Sequence, residues 1–338
     1  MTVYSYINKL LPSAKGLFDD RWPLPFHEEL ANYNFDTTQI DTLIFYDKQI
    51  NAYMPVRYIK VKLLKFGQIQ YAPLSDGELL SEEEEKLFLD HFIEYCRQKH
   101  LFHHLIQSHP SGFTRSFPNS SAYCPFGSYV TNLSLFDDES LLTSYDPKYK
   151  KAIAHSIKNG ATVKLGLDQL PQFYILYQNS INKAKIYCDS HSSIQTLLRN
   201  LGPDKCEIGV VYDGEQAIGA ILVQFTKHTA YVTHAGMGGD SKLYGAMKYL
   251  HFEMMKHLRD KNVKFYDFVG VRINNKTASL DGIFRFKKGF GGELKTGYLW
   301  KIDLNKSIMK IYNKVNEFRF KDLPHMKDII DQENLISH

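Results

Sequence analysis

The order of predicted elements repeats between the two halves of the chain, and this repeat constrains the fold most. In the first half, strands are followed by a helix at 81–99 and then by further strands, the last of them at 128–135. In the second half, a hairpin and a third strand are followed by a helix at 242–260 and the apolar strand 263–271. Strands that alternate with helices predict an α/β fold, and the repeat predicts two related lobes.

Short-range signals support these elements. Ser81 and Glu84 form the S-x-x-E pattern of a capping box, which predicts a helix start. Asp213 and Gly214 lie between two apolar runs, which is typical of a tight turn that joins two antiparallel strands.

The domain division follows from this pattern. We expect a first domain at 1–145, a second domain at 146–320 and a C-terminal helical tail at 321–338. Two helical segments, 146–160 and 167–200, follow the first lobe. A length of 338 residues suits two domains of ordinary size.

Composition excludes several classes of protein. Hydrophobic residues make up 43% and charged residues 23%, so the chain is not disordered, collagen-like or a disulfide scaffold. The net charge of +4 is small, but residues 258–321 carry 15 Lys and Arg against 6 Asp and Glu. This region predicts a surface that attracts an anion. A solvated basic surface with no partner is the alternative.

Sequence features also bear on location. The N-terminal residues lack the pattern of a signal peptide, and no apolar run approaches the ~18 residues that span a bilayer. The four cysteines are far apart, with no C-x-x-C pair, which is typical of free thiols in a reducing compartment. We expect a cytoplasmic protein without a transmembrane segment. Peripheral contact with the inner face of the membrane stays open.

The most specific local pattern is FRFKKGFGGELKTGY at 284–298. It places Lys287 and Lys288 beside Gly291 and Gly292, so a ligand can approach the backbone closely and meet two cations. An ammonium group here can bind a phosphate or stabilise an oxyanion during acyl transfer. The alternative is a surface loop with a glycine turn.

A second pattern is a basic helix. Lys150, Lys151, His155 and Lys158 fall within about two and a half helical turns, and Lys151 shares a face with His155. Such a face suits phosphate groups or a nucleic-acid backbone. A solvated helix face is the alternative.

Two further sites are candidates. His109 follows a predicted strand end, where ligands bind in α/β folds, and it is a candidate base. Tyr244 lies in the glycine-rich stretch between a strand and a helix, which suits an anion or is a plain turn. Five histidines fall between His91 and His109, but no nearby groups complete a ligand set. We expect no metal and no cofactor.

Taken together, the segments resemble the FemABX family of aminoacyl-tRNA-dependent transferases. The resemblance runs from about Asp41 to Ser307, and the matching stretches occur in the family's order, at 70–77, 129–164, 236–271 and 282–304. The resemblance implies two tandem GNAT-like (acyl-CoA N-acyltransferase-like) domains with mixed sheets flanked by helices.

The resemblance also implies a reaction. An amine on a peptidoglycan precursor attacks the ester carbonyl of an aminoacyl-tRNA. Lys287 matches the lysine of the family's F-K-x-x-F pattern and would steady negative charge, while the helix at 150–160 would contact acceptor phosphates. An aminoacyl ester is already activated, so no protein nucleophile is required.

Departures from the family leave the acceptor open between a muropeptide and another envelope glycan. Lys150 replaces an arginine that many members have, and His109 stands where some members have a carboxylate. Phe252 precedes Glu253 where the family often has tryptophan, and the helical arm of several members is absent. One alternative is transfer from acyl-CoA to a surface sugar, although 242–247 lacks most of the Q/R-x-x-G-x-G/A pattern. A non-enzymatic binding module is another.

Overall fold

The computed structural model describes residues 1–5, 38–76, 78–107, 112–184, 188–238, 243–273, 278–319 and 328–336. Its strands are β1 (Thr2–Ser5), β2 (Thr38–Asp47), β3 (Ala52–Val61), β4 (Leu64–Ile69), β5 (Leu74–Ser75), β6 (Glu78–Leu79), β7 (His104–Gln107), β8 (Ala122–Asn132), β9 (Ala161–Leu165), β10 (Cys206–Asp213), β11 (Gln216–Phe225), β12 (Thr229–Met237), β13 (Phe265–Asp267), β14 (Val271–Arg272) and β15 (Glu293–Asp303).

Helices surround these strands. They are α1 (Glu82–Gln98), α2 (Asp138–Ser144), α3 (Pro147–Lys158), α4 (Leu170–Ala184), α5 (His191–Leu201), α6 (Ala246–Asp260), α7 (Ala278–Lys288), α8 (Lys306–Arg319) and α9 (Ile329–Ile336). The predicted α/β class is therefore confirmed.

One mixed sheet runs through the described part of the molecule. Its main path is β1-β2-β3-β4-β7-β15-β8-β13-β12-β11-β10-β9, with β5, β6 and β14 paired at its sides. Two of its pairs are parallel, β4 with β7 and β12 with β13. Strand β15 comes from late in the chain but lies between β7 and β8, so strands of both halves alternate at the middle of the sheet. The boundaries near 145 and 320 stay a prediction.

Apolar cores cover both faces of the sheet. In the first half, α1 packs on β2, β3 and β7 around Phe45, Phe88 and Phe92. In the second half, α4 and α5 pack on one face, and α3, α6 and α7 pack on the other around Leu250 and Phe290. This two-sided coverage explains why β10 and β11 read as continuous apolar runs in the sequence.

Several predicted boundaries are confirmed. The side chain of Ser81 accepts the backbone N–H of Glu84, and the Glu84 carboxylate accepts the N–H of Ser81, as the capping box requires. Asp213 pairs with Gln216 across the predicted hairpin. All four cysteines are free thiols.

Other boundaries were wrong. The strand predicted at 128–135 spans Ala122–Asn132, and Leu133–Leu135 form a 3-10 turn because the Asn132 side chain accepts the N–H of Ser134. Helix α6 begins at Ala246 because Gly245 has a φ of +98°. A side chain at Gly245 would also lie 2.4 Å from the carbonyl oxygen of Ala152.

Candidate active site

A cavity of about 860 Å³ opens at the carboxyl ends of the parallel strands β12 and β13. We call it the strand-end cavity. Its volume is in the range of small-molecule sites, and strand ends are where ligands bind in open α/β sheets. Its wall includes Val232, His234, Gly236, Met237, Tyr244, Lys248, His251, Phe268, Val269, Phe286 and Lys287.

A strained turn forms one edge of this cavity. Val269 has a φ of +49° and Gly270 a φ of +72°, so both are left-handed. A left-handed conformation is costly for a β-branched residue and persists only where the surrounding structure holds it. The side chain of Lys287 supplies that hold, since its Nζ donates to the carbonyl oxygens of Val269 and Gly270.

Lys287 thus lies where its ammonium group meets both the turn and the cavity. Burial lowers the pKa of Lys287 to about 8, and the nearby Asp267 carboxylate acts in the opposite direction. The group is mainly protonated at pH 7. An ammonium has three N–H donors, and two of them bond the turn, so one remains for a ligand.

A second cavity, of about 500 Å³, lies on the other face of β13. We call it the polar cavity. Successive side chains of a strand point to opposite faces, so Asp267 faces this cavity while Tyr266 packs in the core beside α6. The wall of the polar cavity includes Tyr71, Glu85, Phe113, Arg115, Ser128, His228, Tyr231, Lys264, Asp267 and Lys295.

Asp267 is the buried carboxylate where the two cavities meet. Its Oδ1 accepts the hydroxyl of Ser128, and also the N–H of Val269 at 2.7 Å. Burial raises the pKa of Asp267 to about 6, against the lowering by these hydrogen bonds and by Lys287. Because Asp267 lines the polar cavity and Phe268 and Val269 line the strand-end cavity, the segment Asp267–Val269 lies between the two.

A second carboxylate, Glu85, is fully buried beside the polar cavity. Its Oε1 accepts the N–H and the hydroxyl of Ser116 at 2.7 and 2.9 Å, and Arg115 Nε lies 4.0 Å from its Oε2. Burial raises the pKa of Glu85. Among the described residues, Glu85 Oε2 and Arg115 Nε and Nη2 are buried without hydrogen-bond partners. Buried polar atoms normally have partners, so these three are candidates for hydrogen bonds to a bound polar ligand.

Lys248 enters the strand-end cavity from α6 within a cage of rings. Its Nζ lies 4.8 Å from the ring centre of Tyr149, 5.0 Å from that of Tyr244 and 5.9 Å from that of Phe286. Burial lowers the pKa of Lys248. In the described part of the chain, no carboxylate forms an ion pair with it. Cation–π contacts therefore hold an uncompensated positive charge at the cavity wall.

Among the residues predicted from sequence, Tyr244 and Lys287 both line the strand-end cavity. Sequence reasoning missed Lys248, His251, Asp267 and the Glu85–Arg115 pair. The cage around Lys248 joins residues about 100 positions apart, so no local pattern marks it.

The basic helix predicted around Lys150 is α3, whose Tyr149 ring contacts Lys248 at the wall of the strand-end cavity. Lys151, His155 and Lys158 are exposed on it. Lys150 is half-buried, and its Nζ donates to the carbonyl of Thr143 at 3.5 Å. A phosphate-binding role for these residues stays a prediction.

The glycine-rich stretch at 284–298 is not a loop throughout, because α7 runs to Lys288 and β15 begins at Glu293. Lys288 is exposed at the helix end. Gly291 has a φ of +70°, and a side chain there would lie 2.4 Å from the carbonyl oxygen of Ser144. A side chain at Gly292 would lie 2.9 Å from Thr131 Oγ1. Packing explains both glycines, and their substrate contact stays a prediction.

The predicted base His109 lies outside the described residues. The neighbouring histidines have separate partners: His91 bonds Asp47, and His104 bonds Asp303. Within the described ranges, no three His, Cys, Asp or Glu side chains are grouped as metal ligands.

Comparison with known proteins gives a family match over one part of the chain. Residues 206–297 match the model of the FemAB family. This segment is similar to that family, and it contains every lining residue of the strand-end cavity except Ser180. No curated protein sequence matches the chain.

Solved structures give the fold. The structure of FemX is 13% identical and matches 92% of this chain and 99% of its own, with a TM-score of 0.62. This likeness confirms the predicted class of tandem GNAT-like domains. A tandem GNAT protein from the clavulanic acid biosynthesis pathway matches 90% of this chain and 98% of its own (9% identity, TM-score 0.49). L-PGS from Bacillus licheniformis matches 82% and 88% (12% identity, TM-score 0.46).

Over the described ranges, no helix combines the length and the apolar character needed to cross a bilayer.

Proposed function

We propose that the protein is an aminoacyltransferase that moves an amino acid from an aminoacyl-tRNA to an amine on a peptidoglycan precursor. The observation that carries the proposal is the segment Asp267–Val269, which lies between two cavities. A transferase that joins two substrates needs each of them oriented at one reaction centre. Two adjoining cavities can each orient one substrate, and transfer requires the amine and the ester carbonyl to meet past the edge of this segment.

The reaction balances without a protein nucleophile. The neutral amine nitrogen attacks the ester carbonyl carbon, a C–N bond forms, and the carbonyl oxygen becomes an oxyanion. The carbonyl then re-forms as the ester C–O bond breaks, and the ribose hydroxyl leaves. The proton lost by the amine passes to that leaving oxygen. Because the ester is already activated, orientation and charge stabilisation supply the rate.

We assign the donor ester to the strand-end cavity. The free N–H of Lys287 is placed to bond the carbonyl oxygen as it becomes negative. Lys248 supplies a second positive charge, and the exposed cations of α3 lie on the helix whose Tyr149 contacts Lys248. A polyphosphate backbone is attracted by such a surface in a salt-dependent way.

We assign the acceptor to the polar cavity. Asp267 and Glu85 are carboxylates that suit an ammonium group, and Arg115 suits a carboxylate or phosphate of the same substrate. With a pKa of about 6, Asp267 is ionised at pH 7 and is a base for the acceptor ammonium. Such substrates place the enzyme in the cytoplasm, and a lipid-linked precursor would bring it to the inner face of the membrane.

The test is a transfer assay. Purified protein is given a pool of tRNAs charged with labelled amino acids, together with a muropeptide precursor. We expect label to move to the muropeptide. Label that moves only when another envelope glycan is supplied would keep the donor and change the acceptor. Consumption of acetyl-CoA, with no release from tRNA, would contradict the proposal and favour an acyl-CoA-dependent enzyme.

A further inference from the structure

His251 is a buried histidine on the wall of the strand-end cavity, and the reaction as described does not use it. Its side chain extends from α6 and is only 3% exposed. Aromatic rings surround the imidazole, with ring centres 5.1 to 6.0 Å away in Tyr266, Phe268, Phe286 and Phe290. The ring is therefore fixed in position.

A hydrogen bond decides which nitrogen of His251 carries the proton. The Nδ1 atom lies 2.7 Å from the hydroxyl of Tyr266, which is itself fully buried. Burial raises the pKa of Tyr266 well above its usual range, so the phenol keeps its proton. Within the described part of the chain, Nδ1 is the acceptor that this hydroxyl reaches. If Nδ1 carried a proton instead, the buried O–H would lose its acceptor, which costs about 1–3 kcal/mol.

The imidazole is neutral as well as oriented. Burial lowers the pKa of His251 to about 3, and the positive charge of Lys287 lowers it further. The groups that face the ring are Tyr266 from β13 and Lys287 from α7, and neither is an anion at neutral pH. A neutral ring whose Nδ1 accepts from Tyr266 carries its proton on Nε2.

We propose that the Nε2–H of His251 donates a hydrogen bond to the acyl carbonyl oxygen of the donor as this oxygen becomes negative. The inference rests on the proposed assignment of the donor to the strand-end cavity. His251 and Lys287 then form a two-part oxyanion site, in which one donor is neutral and the other is charged. Tyr266 is a positioning residue, because it fixes the tautomer without reaching the substrate.

The tautomer is tested without substrate. Full-length protein with 15N-labelled histidine is studied by long-range proton–nitrogen NMR from pH 5 to 8.5, and His251→Gln assigns the signals. We expect a protonated Nε2, an unprotonated Nδ1 and no titration in this range. In Tyr266→Phe we expect the Nδ1-protonated form to appear. Protonation of wild-type Nδ1, or a titration near pH 6.5, would overturn the inference.

The role is tested by transfer rates. His251→Leu keeps an apolar side chain of similar size and is expected to lower kcat by about 100- to 1,000-fold. His251→Gln restores an N–H donor and is expected to lose less than about tenfold. His257→Gln, on the same helix but bonded to Glu207, is the matched control. Thermal melts establish that each variant is folded.

The outcomes separate this inference from the proposed function. If wild-type protein transfers label but His251→Leu does so at the wild-type rate, the inference is wrong and the function stands. Equal losses in the Gln and Leu variants would also overturn it. If wild-type protein consumes acetyl-CoA instead, the proposed function is wrong, and the same variants still test the oxyanion role on that acyl group.

Discussion

The two cavities differ in the charges that they keep buried. The strand-end cavity has two lysines and a neutral histidine among aromatic rings, and burial lowers the pKa of all three. The polar cavity has the carboxylates of Asp267 and Glu85, and burial raises the pKa of both. Of these two cavities, carboxylates among the described residues line only the polar cavity, where the cations Arg115, Lys264 and Lys295 also lie. Variants in the strand-end cavity should therefore impair use of the donor, and variants in the polar cavity should impair use of the acceptor.

The largest effect is expected at Lys287, which lines the strand-end cavity and bonds the turn between the two cavities. Lys287→Met removes an oxyanion donor and both hydrogen bonds that hold the left-handed turn. We expect kcat to fall by about 100- to 1,000-fold, and the free energy of unfolding to fall by about 1–3 kcal/mol. Transfer kinetics and urea unfolding measure the two effects. Lys310→Met, exposed on α8, is the control, and an equal loss there would contradict the assignment.

Asp267 should give the next largest effect, and it carries a pH signature. Its pKa is about 6 in the folded protein and near 3.8 when unfolded, so the folded state binds more protons between these values. Stability from this group is complete below pH 3.8 and is lost as pH rises to about 6, a change of about 3 kcal/mol. Asp267→Asn should remove this dependence.

Urea unfolding of wild type and Asp267→Asn at pH 4, 5, 6 and 7 measures that difference. The same variant should slow transfer above pH 6, where wild-type Asp267 is ionised. If the free energies of unfolding of the two proteins change with pH in parallel, burial does not raise the pKa of Asp267 and this prediction is wrong.

Arg115 tests the polar cavity separately, because we assign this residue to the acceptor alone. Arg115→Gln should raise KM for the acceptor by about 10- to 100-fold, the range for loss of a charge-assisted hydrogen bond. KM for the donor should stay the same. Steady-state kinetics with each substrate varied in turn measure this. If KM rises for the donor and stays the same for the acceptor, the acceptor does not bind in the polar cavity.

Lys248 is the counterpart on the other side, with the smallest effect. Lys248→Met keeps the stem within the cage of rings but removes the charge. Donor KM should rise by about 3- to 10-fold, and the salt dependence of donor binding should become shallower by about one counterion. Titrations at 50 to 200 mM salt measure the slope. An unchanged slope would mean that Lys248 meets no phosphate.

The sequence predicts local features of the fold well. The capping box at Ser81 and the turn at Asp213 depend on residues within four positions of each other, so they can be recognised from sequence alone. Helix α7 was not predicted, because Gly282 and the glycines that follow Lys288 suggest a loop. Its helical conformation comes from packing of Phe286 and Phe290 against α6, which no local pattern reveals.

The site was predicted only in part. Lys287 belongs to a recognisable motif and lies at a cavity wall, and the role that the family resemblance implies for it stays a prediction. His251 and Asp267 gain their properties from burial and from partners on other elements, such as Ser128 for Asp267. A sequence shows neither burial nor those partners, so both residues read as ordinary members of a helix and a strand.

The central claim is that two substrates approach the segment Asp267–Val269 from the two cavities that adjoin it. Calorimetric titration tests it most directly, with a non-hydrolysable, amide-linked aminoacyl-tRNA, which keeps the backbone phosphates, as donor and a muropeptide as acceptor. Each ligand is added to wild type, Lys248→Met and Arg115→Gln. We predict that Lys248→Met weakens binding of the donor analogue alone, and that Arg115→Gln weakens binding of the muropeptide alone. If both variants weaken binding of the same ligand and leave the other unchanged, the two cavities do not divide the substrates and the claim is wrong.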